Sequence, residues 1–144
     1  MIKFITVEEL LPLRRTVLRP NKLHDEDCLF PTDKIDGAFH LGYYDEDELV
    51  CIASFHPQKL ETFNGTGYQL RGMATAETFR GQGIGNQLLN FAMVYLRGQK
   101  VNYLWCNART RAVPFYLNTG FELISAEFEV PEIGPHQVMY VKIQ

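Results

Sequence analysis

The densest chemical signal in the chain is Arg80-Gly81-Gln82-Gly83-Ile84-Gly85. It lies between a strand-like run, Gly67 to Thr75, and an apolar helical run from about Ile84 to Arg97. A glycine-dense turn that opens a helix points several backbone N–H groups at one spot. The helix dipole adds partial positive charge there, so the turn suits an anion, above all phosphate. Glycine is needed because side chains on the loop would block close approach. Arg80 adds a positive charge at the mouth.

Phosphate ligands differ in the residues they demand. A Walker loop ends in Gly-Lys-Ser/Thr. This loop ends in Gly85-Asn86-Gln87, with no lysine for a γ-phosphate and no hydroxyl for magnesium. A dinucleotide fingerprint needs a third glycine three residues after the second, and that position is Asn86 or Leu88. What remains is Arg/Gln-x-x-Gly-x-Gly/Ala, met by Arg80, Gly83 and Gly85. A second block, Asn107 to Phe121, follows the strand-like run Val101 to Cys106. In it Ala112, Tyr116, Gly120 and Phe121 make Ala-x-x-x-Tyr on a short helix that ends in Gly-Phe. Gly120 suits a left-handed helix cap. The first loop is similar to the pyrophosphate loop of the GNAT superfamily, the acetyl-CoA-dependent N-acyltransferases. The second block resembles that superfamily's second motif, and the two lie in the family's order and spacing.

The elements that must hold these residues are readable from periodicity and turn signals. Met1 to Thr6 reads as a strand. Val7 to Leu18 carries a helical stripe at Leu10, Leu11, Leu13, Val17 and Leu18, with Thr6 as N-cap and Pro12 weakening its middle. Asn21 to Asp36 reads as a long loop or partial helix, with acids at Asp25, Glu26, Asp27, Asp33 and Asp36. Ala38 to Tyr44 and Leu49 to Phe55 form a strand pair about the charged turn Asp45 to Glu48. The helix after the glycine loop places Ile84, Leu88, Phe91, Ala92, Tyr95 and Leu96 on one face, widened by Leu89, Met93 and Val94, and ends at Gly98. Phe121 to Val130 and Gln137 to Ile143 close the chain as a strand pair joined by the loop Pro131 to Pro135.

Composition sets the class. The 144 residues read as one domain, 1–144, with 46% hydrophobic and 22% charged residues, as in ordinary globular proteins. A net charge of -3 with scattered Lys and Arg argues against nucleic acid as a partner. Apolar runs too short for a membrane span and the lack of a signal-peptide pattern make the cytoplasm the expected location. Cys28, Cys51 and Cys106 lack metal spacing, and the histidines His24, His40, His56 and His136 are scattered, so no metal is expected. Cys28 lies in a polar loop, but no base at a readable spacing marks it as a nucleophile.

The resemblance implies more than the pattern does. It implies an α/β (α+β) GNAT fold: a mixed, mostly antiparallel sheet splayed at its middle strands, with helices on both faces. Acetyl-CoA would be the co-substrate. The backbone of Met73, Ala74 and Thr75 would bind the acyl and pantetheine arm, with an N–H at Met73 or Ala74 as oxyanion donor. The loop Arg80, Gly81, Gln82, Gly83, Ile84, Gly85 and Asn86 would hold the pyrophosphate. Tyr116 stands at the family's general-acid position, where it would protonate the leaving thiolate. His136 lies in a Pro-His turn like one found near the acceptor site in one subgroup. It is a candidate base beside Glu61 and an ordered water. The family often has Asn three residues before the motif's Ala; that position is Arg109 here, and Asn107 could substitute only if it faces the cleft.

The expected function is therefore acetyl transfer from acetyl-CoA to a primary amine of a small-molecule or peptide acceptor, by direct attack in a ternary complex. The acidic loop would favour a cationic acceptor. A homodimer would be common for the family. The rivals are a non-catalytic acyl-CoA-binding module and a nucleotide-binding protein.

Overall fold

The computed structural model describes every residue, Met1–Gln144. The chain has eight strands and three α-helices, and the strands hydrogen-bond in the order Ile2–Ile5, Phe39–Asp45, Glu48–Pro57, Gly67–Thr75, Tyr103–Arg109, Gly134–Lys142, Glu122–Leu123, with Phe128–Val130 also beside Gly134–Lys142. No helix is long and apolar enough to cross a membrane. The chain forms two compact units, Met1–Pro57 with Leu70–Ala92, and Gln58–Gln69 with Met93–Gln144.

The first unit begins with β1 (Ile2–Ile5), α1 (Val7–Leu18), β2 (Phe39–Asp45) and β3 (Glu48–Pro57). β1 and β2 pair antiparallel, as do β2 and β3. α1 runs unbroken through Pro12, the residue expected to weaken its middle. The residues ahead of it explain this. Thr6 and Glu9 form a reciprocal capping box, and Val7, Leu10 and Leu11 are buried against Cys28, Ile52 and Ala74. Packing outweighs the hydrogen bond that proline removes. β3 is buried from Val50 to His56, on both faces.

β4 (Gly67–Thr75) starts in the second unit and ends in the first. α2 (Ile84–Gly98) follows the glycine loop. Its buried face is Ile84, Leu88, Leu89, Ala92 and Leu96, narrower than the apolar pattern suggests. Val94 is 65% exposed, and Phe91 is also exposed, edge-on to the Phe4 ring.

In the second unit β5 (Tyr103–Arg109) pairs parallel with Gly67–Gln69 of β4 and antiparallel with β8 (Gly134–Lys142). α3 (Val113–Asn118) is the short helix of the second motif. The run Phe121 to Val130 is not one strand. It divides into β6 (Glu122–Leu123) and β7 (Phe128–Val130), both paired with β8. The break falls where Ser125 Oγ accepts the Val138 N–H at 2.8 Å, so a side chain replaces the backbone rung. β8 also starts earlier than expected. Gly134 and Pro135 belong to the strand, paired with Val130 and Glu129, so the turn is shorter than Pro131 to Pro135.

Candidate active site

The parallel ladder between β4 and β5 covers only Gly67–Gln69 and Tyr103–Trp105, yet β4 continues to Thr75. It ends before Met73, Ala74 and Thr75, the segment assigned to the acyl arm. Ala74 is buried, and Met73 and Thr75 are half-buried. Thr75 Oγ1 lies 3.3 Å from Cys51 Sγ.

A short 3-10 turn, Glu77–Phe79, leads from β4 into the loop. The first bond of α2 runs from the Gln87 N–H to the Gly83 carbonyl, at 3.1 Å. The N–H groups ahead of it, from Gly81 to Asn86, have no backbone acceptor. Gly81 and Gly83 have φ of 79° and 78°, and a Cβ built on either meets nothing within 4 Å. The open space beside them would be partly filled by any side chain, and the conformation is one that L-residues resist. The loop thus places N–H groups without backbone acceptors at a helix N-terminus, with open space beside Gly81 and Gly83, which suits phosphate. These residues fit the pyrophosphate of coenzyme A. Arg80 is exposed, and its Nε donates to the Thr75 carbonyl at 3.2 Å. That bond ties the loop entrance to the end of β4.

The second unit carries Asn107, Tyr116 and His136. Asn107 is exposed on β5, opposite Val138. Tyr116 is 7% exposed, its ring 5.1 Å from Phe115 and 5.3 Å from Phe121. Its carbonyl accepts from the Phe121 N–H and from Thr119 Oγ1, closing α3 and fixing the ring's base. His136 is not in a turn before the last strand. It lies inside β8, paired with Arg109 on one side and Phe128 on the other, and is 6% exposed. Its Nδ1 lies 2.9 Å from the Gly134 carbonyl. A carbonyl can only accept, so in the neutral ring Nδ1 carries the proton and Nε2 the lone pair. That is the tautomer a base needs.

One group of polar residues emerges only in three dimensions. Arg14 and His56 are fully buried, Asp33 is 2% exposed, and His40 and Ser54 join them. Arg14 Nη1 and Nη2 donate to the two Asp33 oxygens at 2.8 and 3.2 Å. Asp33 also accepts from the Phe30 N–H at 2.6 Å and from His56 Nε2 at 3.1 Å. Arg14 Nη2 donates on to Ser54 Oγ, whose hydroxyl then serves His40 Nδ1 at 2.7 Å. Burial alone would raise the Asp33 carboxyl. The His56, Arg14 and Phe30 hydrogen bonds outweigh it and hold the carboxyl well below the usual range. Burial pushes His40 down, toward its neutral form.

Asp33, His40 and His56 converge with ligand atoms within 4.8 Å of one another, although they are far apart in sequence. Both Asp33 oxygens are already bound to Arg14, and a guanidinium in contact repels a cation. The set therefore reads as an ion-pair network rather than a metal centre. Signals for it existed. Arg14 falls on the buried stripe of α1, and Ser54 and His56 alternate on β3 with His40 opposite Ser54. Asp33, in a loop, had none. Cys28, expected in a polar loop, is 3% exposed, and burial pushes its thiol up, which disfavours a nucleophile.

Comparison with known proteins identifies the family. A sequence model of the family described as Acetyltransferase (GNAT) domain matches residues 29–141. The Bacillus subtilis (strain 168) protein named Uncharacterized N-acetyltransferase YitI is 38% identical over 140 residues, covering 96% of this chain and 93% of that protein. Two crystal structures share the fold. Escherichia coli ElaA aligns with TM-score 0.77 at 21% identity, over 98% of this chain and 99% of that one. An aminoglycoside 6'-N-acetyltransferase in complex with coenzyme A aligns with TM-score 0.79 at 15% identity, over 100% and 97%. The chain belongs to the GNAT family of acetyltransferases.

Proposed function

We propose that the protein transfers an acetyl group from acetyl-CoA to a primary amine by direct attack in a ternary complex. The observation that carries this reading is the row of N–H groups without backbone acceptors from Gly81 to Asn86, with open space beside Gly81 and Gly83. Acetyl-CoA would supply an activated thioester. The loop would hold its pyrophosphate, and Arg80, bonded to Thr75, would keep the loop in register with β4. Met73, Ala74 and Thr75 would bind the arm through their backbone, and an N–H at Met73 or Ala74 would take charge developing on the carbonyl oxygen. Holding both reactants together supplies most of the advantage.

The transfer forms a C–N bond and breaks the C–S bond. The amine nitrogen loses a proton and the thiolate gains one. Tyr116 is the residue proposed to donate that proton from its phenol, and His136 Nε2, with its lone pair, is a candidate to accept the other. Coenzyme A in complex with a structural relative supports the choice of donor.

Tyr116→Phe keeps the ring that packs on Phe115 and Phe121 and removes only the hydroxyl. The expected result is a kcat about 100-fold lower, the low end for a positioned acid. CoA affinity, measured by titration calorimetry, should stay within about twofold of wild type. Unchanged kcat would remove Tyr116 from the chemistry. CoA binding without transfer to any amine would favour an acyl-CoA-binding module instead.

A further inference from the structure

Arg71 is half-buried on β4, two residues before Met73. Its guanidinium has no hydrogen-bond or ion-pair partner in the chain; its contact is the Phe30 ring, 4.1 Å from the centroid. Arg14 meets the same ring at 3.9 Å. Gly72, at φ +63°, leaves room here, since a Cβ would stand 3.1 Å from Arg14 Nε and 3.2 Å from Phe30. Arg14 Nε is itself buried with no partner.

The charges do not balance. Two guanidiniums, Arg14 and Arg71, stand against one carboxylate, and Asp33 has both oxygens committed to Arg14, His56 and Phe30. One positive charge is left over, on the side chain with no partner. A guanidinium held against a ring still presents N–H groups at its edge, and that edge matches a carboxylate bidentately. Meanwhile the acidic loop is less available than its composition suggests. Asp25 pairs with Arg15 at 2.6 Å, Asp33 is buried, and Asp27 accepts the His24 N–H.

We infer that Arg71 receives a carboxylate on the acceptor, so that the substrate is an amine carrying a carboxylate, of the amino-acid class, rather than a polycation. This rests on the acetyl-CoA reading above. Arg71 lies within about 7 Å along β4 of Met73, close enough to hold an acceptor whose amine and carboxylate are neighbours.

The test is a transfer assay on matched acceptors: free L-amino acids, their α-amides, and peptide amides that begin with Asp or Glu. Wild type, Arg71→Met and Arg71→Lys are compared, each first melted with and without coenzyme A. The expected result is a kcat/KM at least about 10-fold higher for the carboxylates than for their amides, the scale of one charged hydrogen bond. That ratio should fall toward one in Arg71→Met and recover partly in Arg71→Lys. Preference for free amino acids identifies an α-carboxylate, and preference for the acidic peptides a side-chain one. Equal use of acid and amide, no transfer to any member, or a ratio unchanged in Arg71→Met would overturn the inference while coenzyme A still stabilises the protein. Loss of coenzyme A stabilisation in Arg71→Met alone would move Arg71 to the donor site and also overturn it. Absence of coenzyme A stabilisation in wild type would instead remove the acetyl-CoA reading beneath it.

Discussion

Asp33→Asn is expected to destabilise the protein by about 3–5 kcal/mol, because it leaves the Arg14 guanidinium buried without its counter-charge. Arg14 is fully buried and reaches three partners besides the ring: Asp33, Ser54 and the Cys28 carbonyl. An amide could accept one bond but not balance the charge. At this chain length the melting temperature should drop by roughly 10 °C or more. The pH dependence has a definite sign. The folded carboxyl titrates below its unfolded value, so its contribution is complete above the unfolded pKa, about 3.9. It is lost as pH falls through the folded value. Urea unfolding of wild type and Asp33→Asn should show a constant gap from pH 7 to about 5, narrowing below about pH 4. A gap under about 1 kcal/mol at pH 7 would mean that water relieves the cluster.

Gly83→Val is expected to abolish tight CoA binding while sparing most of the fold. A Cβ at Gly83 meets nothing in the free protein, so the substitution clashes with no neighbour. The fold loses only what a φ of 78° costs a branched residue, about 1–2 kcal/mol. The side chain would occupy the space the phosphates need and break at least two charge-assisted hydrogen bonds. Together these amount to roughly 3 kcal/mol, or an affinity about 100-fold weaker. Calorimetric titration with CoA, beside a melting curve of the free variant, separates the two effects. Affinity within about threefold of wild type would place the pyrophosphate elsewhere.

The parts legible in the sequence were those fixed by local rules. The glycine loop, the Thr6 cap and the order of strands and helices each depend on residues a few positions apart. The helix runs on through Pro12 because burial of Val7, Leu10 and Leu11 is a tertiary effect. Phe121 to Val130 divides because the Ser125 side chain takes a backbone N–H of β8, a pairing that the strand's own residues do not signal. His136 moves from turn to strand because Phe128 pairs with it across a turn shorter than expected and Arg109, far from it in sequence, pairs on the other side. The network of Arg14, Asp33, His56, Ser54 and His40 could not be assembled for the same reason, since Asp33 gave no signal of its own. Its members come from one helix, one loop and two strands, and a buried charge becomes visible only when its partner does.

Titration of the protein with acetyl-CoA, beside CoA, ATP and NAD, tests the central claim most directly. A ligand that binds only the folded state raises the melting temperature by mass action. Saturable stabilisation by acetyl-CoA and CoA, with none by ATP or NAD, is the expected result. No shift with acetyl-CoA at millimolar concentration, or an equal shift with ATP, would contradict the assignment of the Gly81 to Asn86 row to coenzyme A.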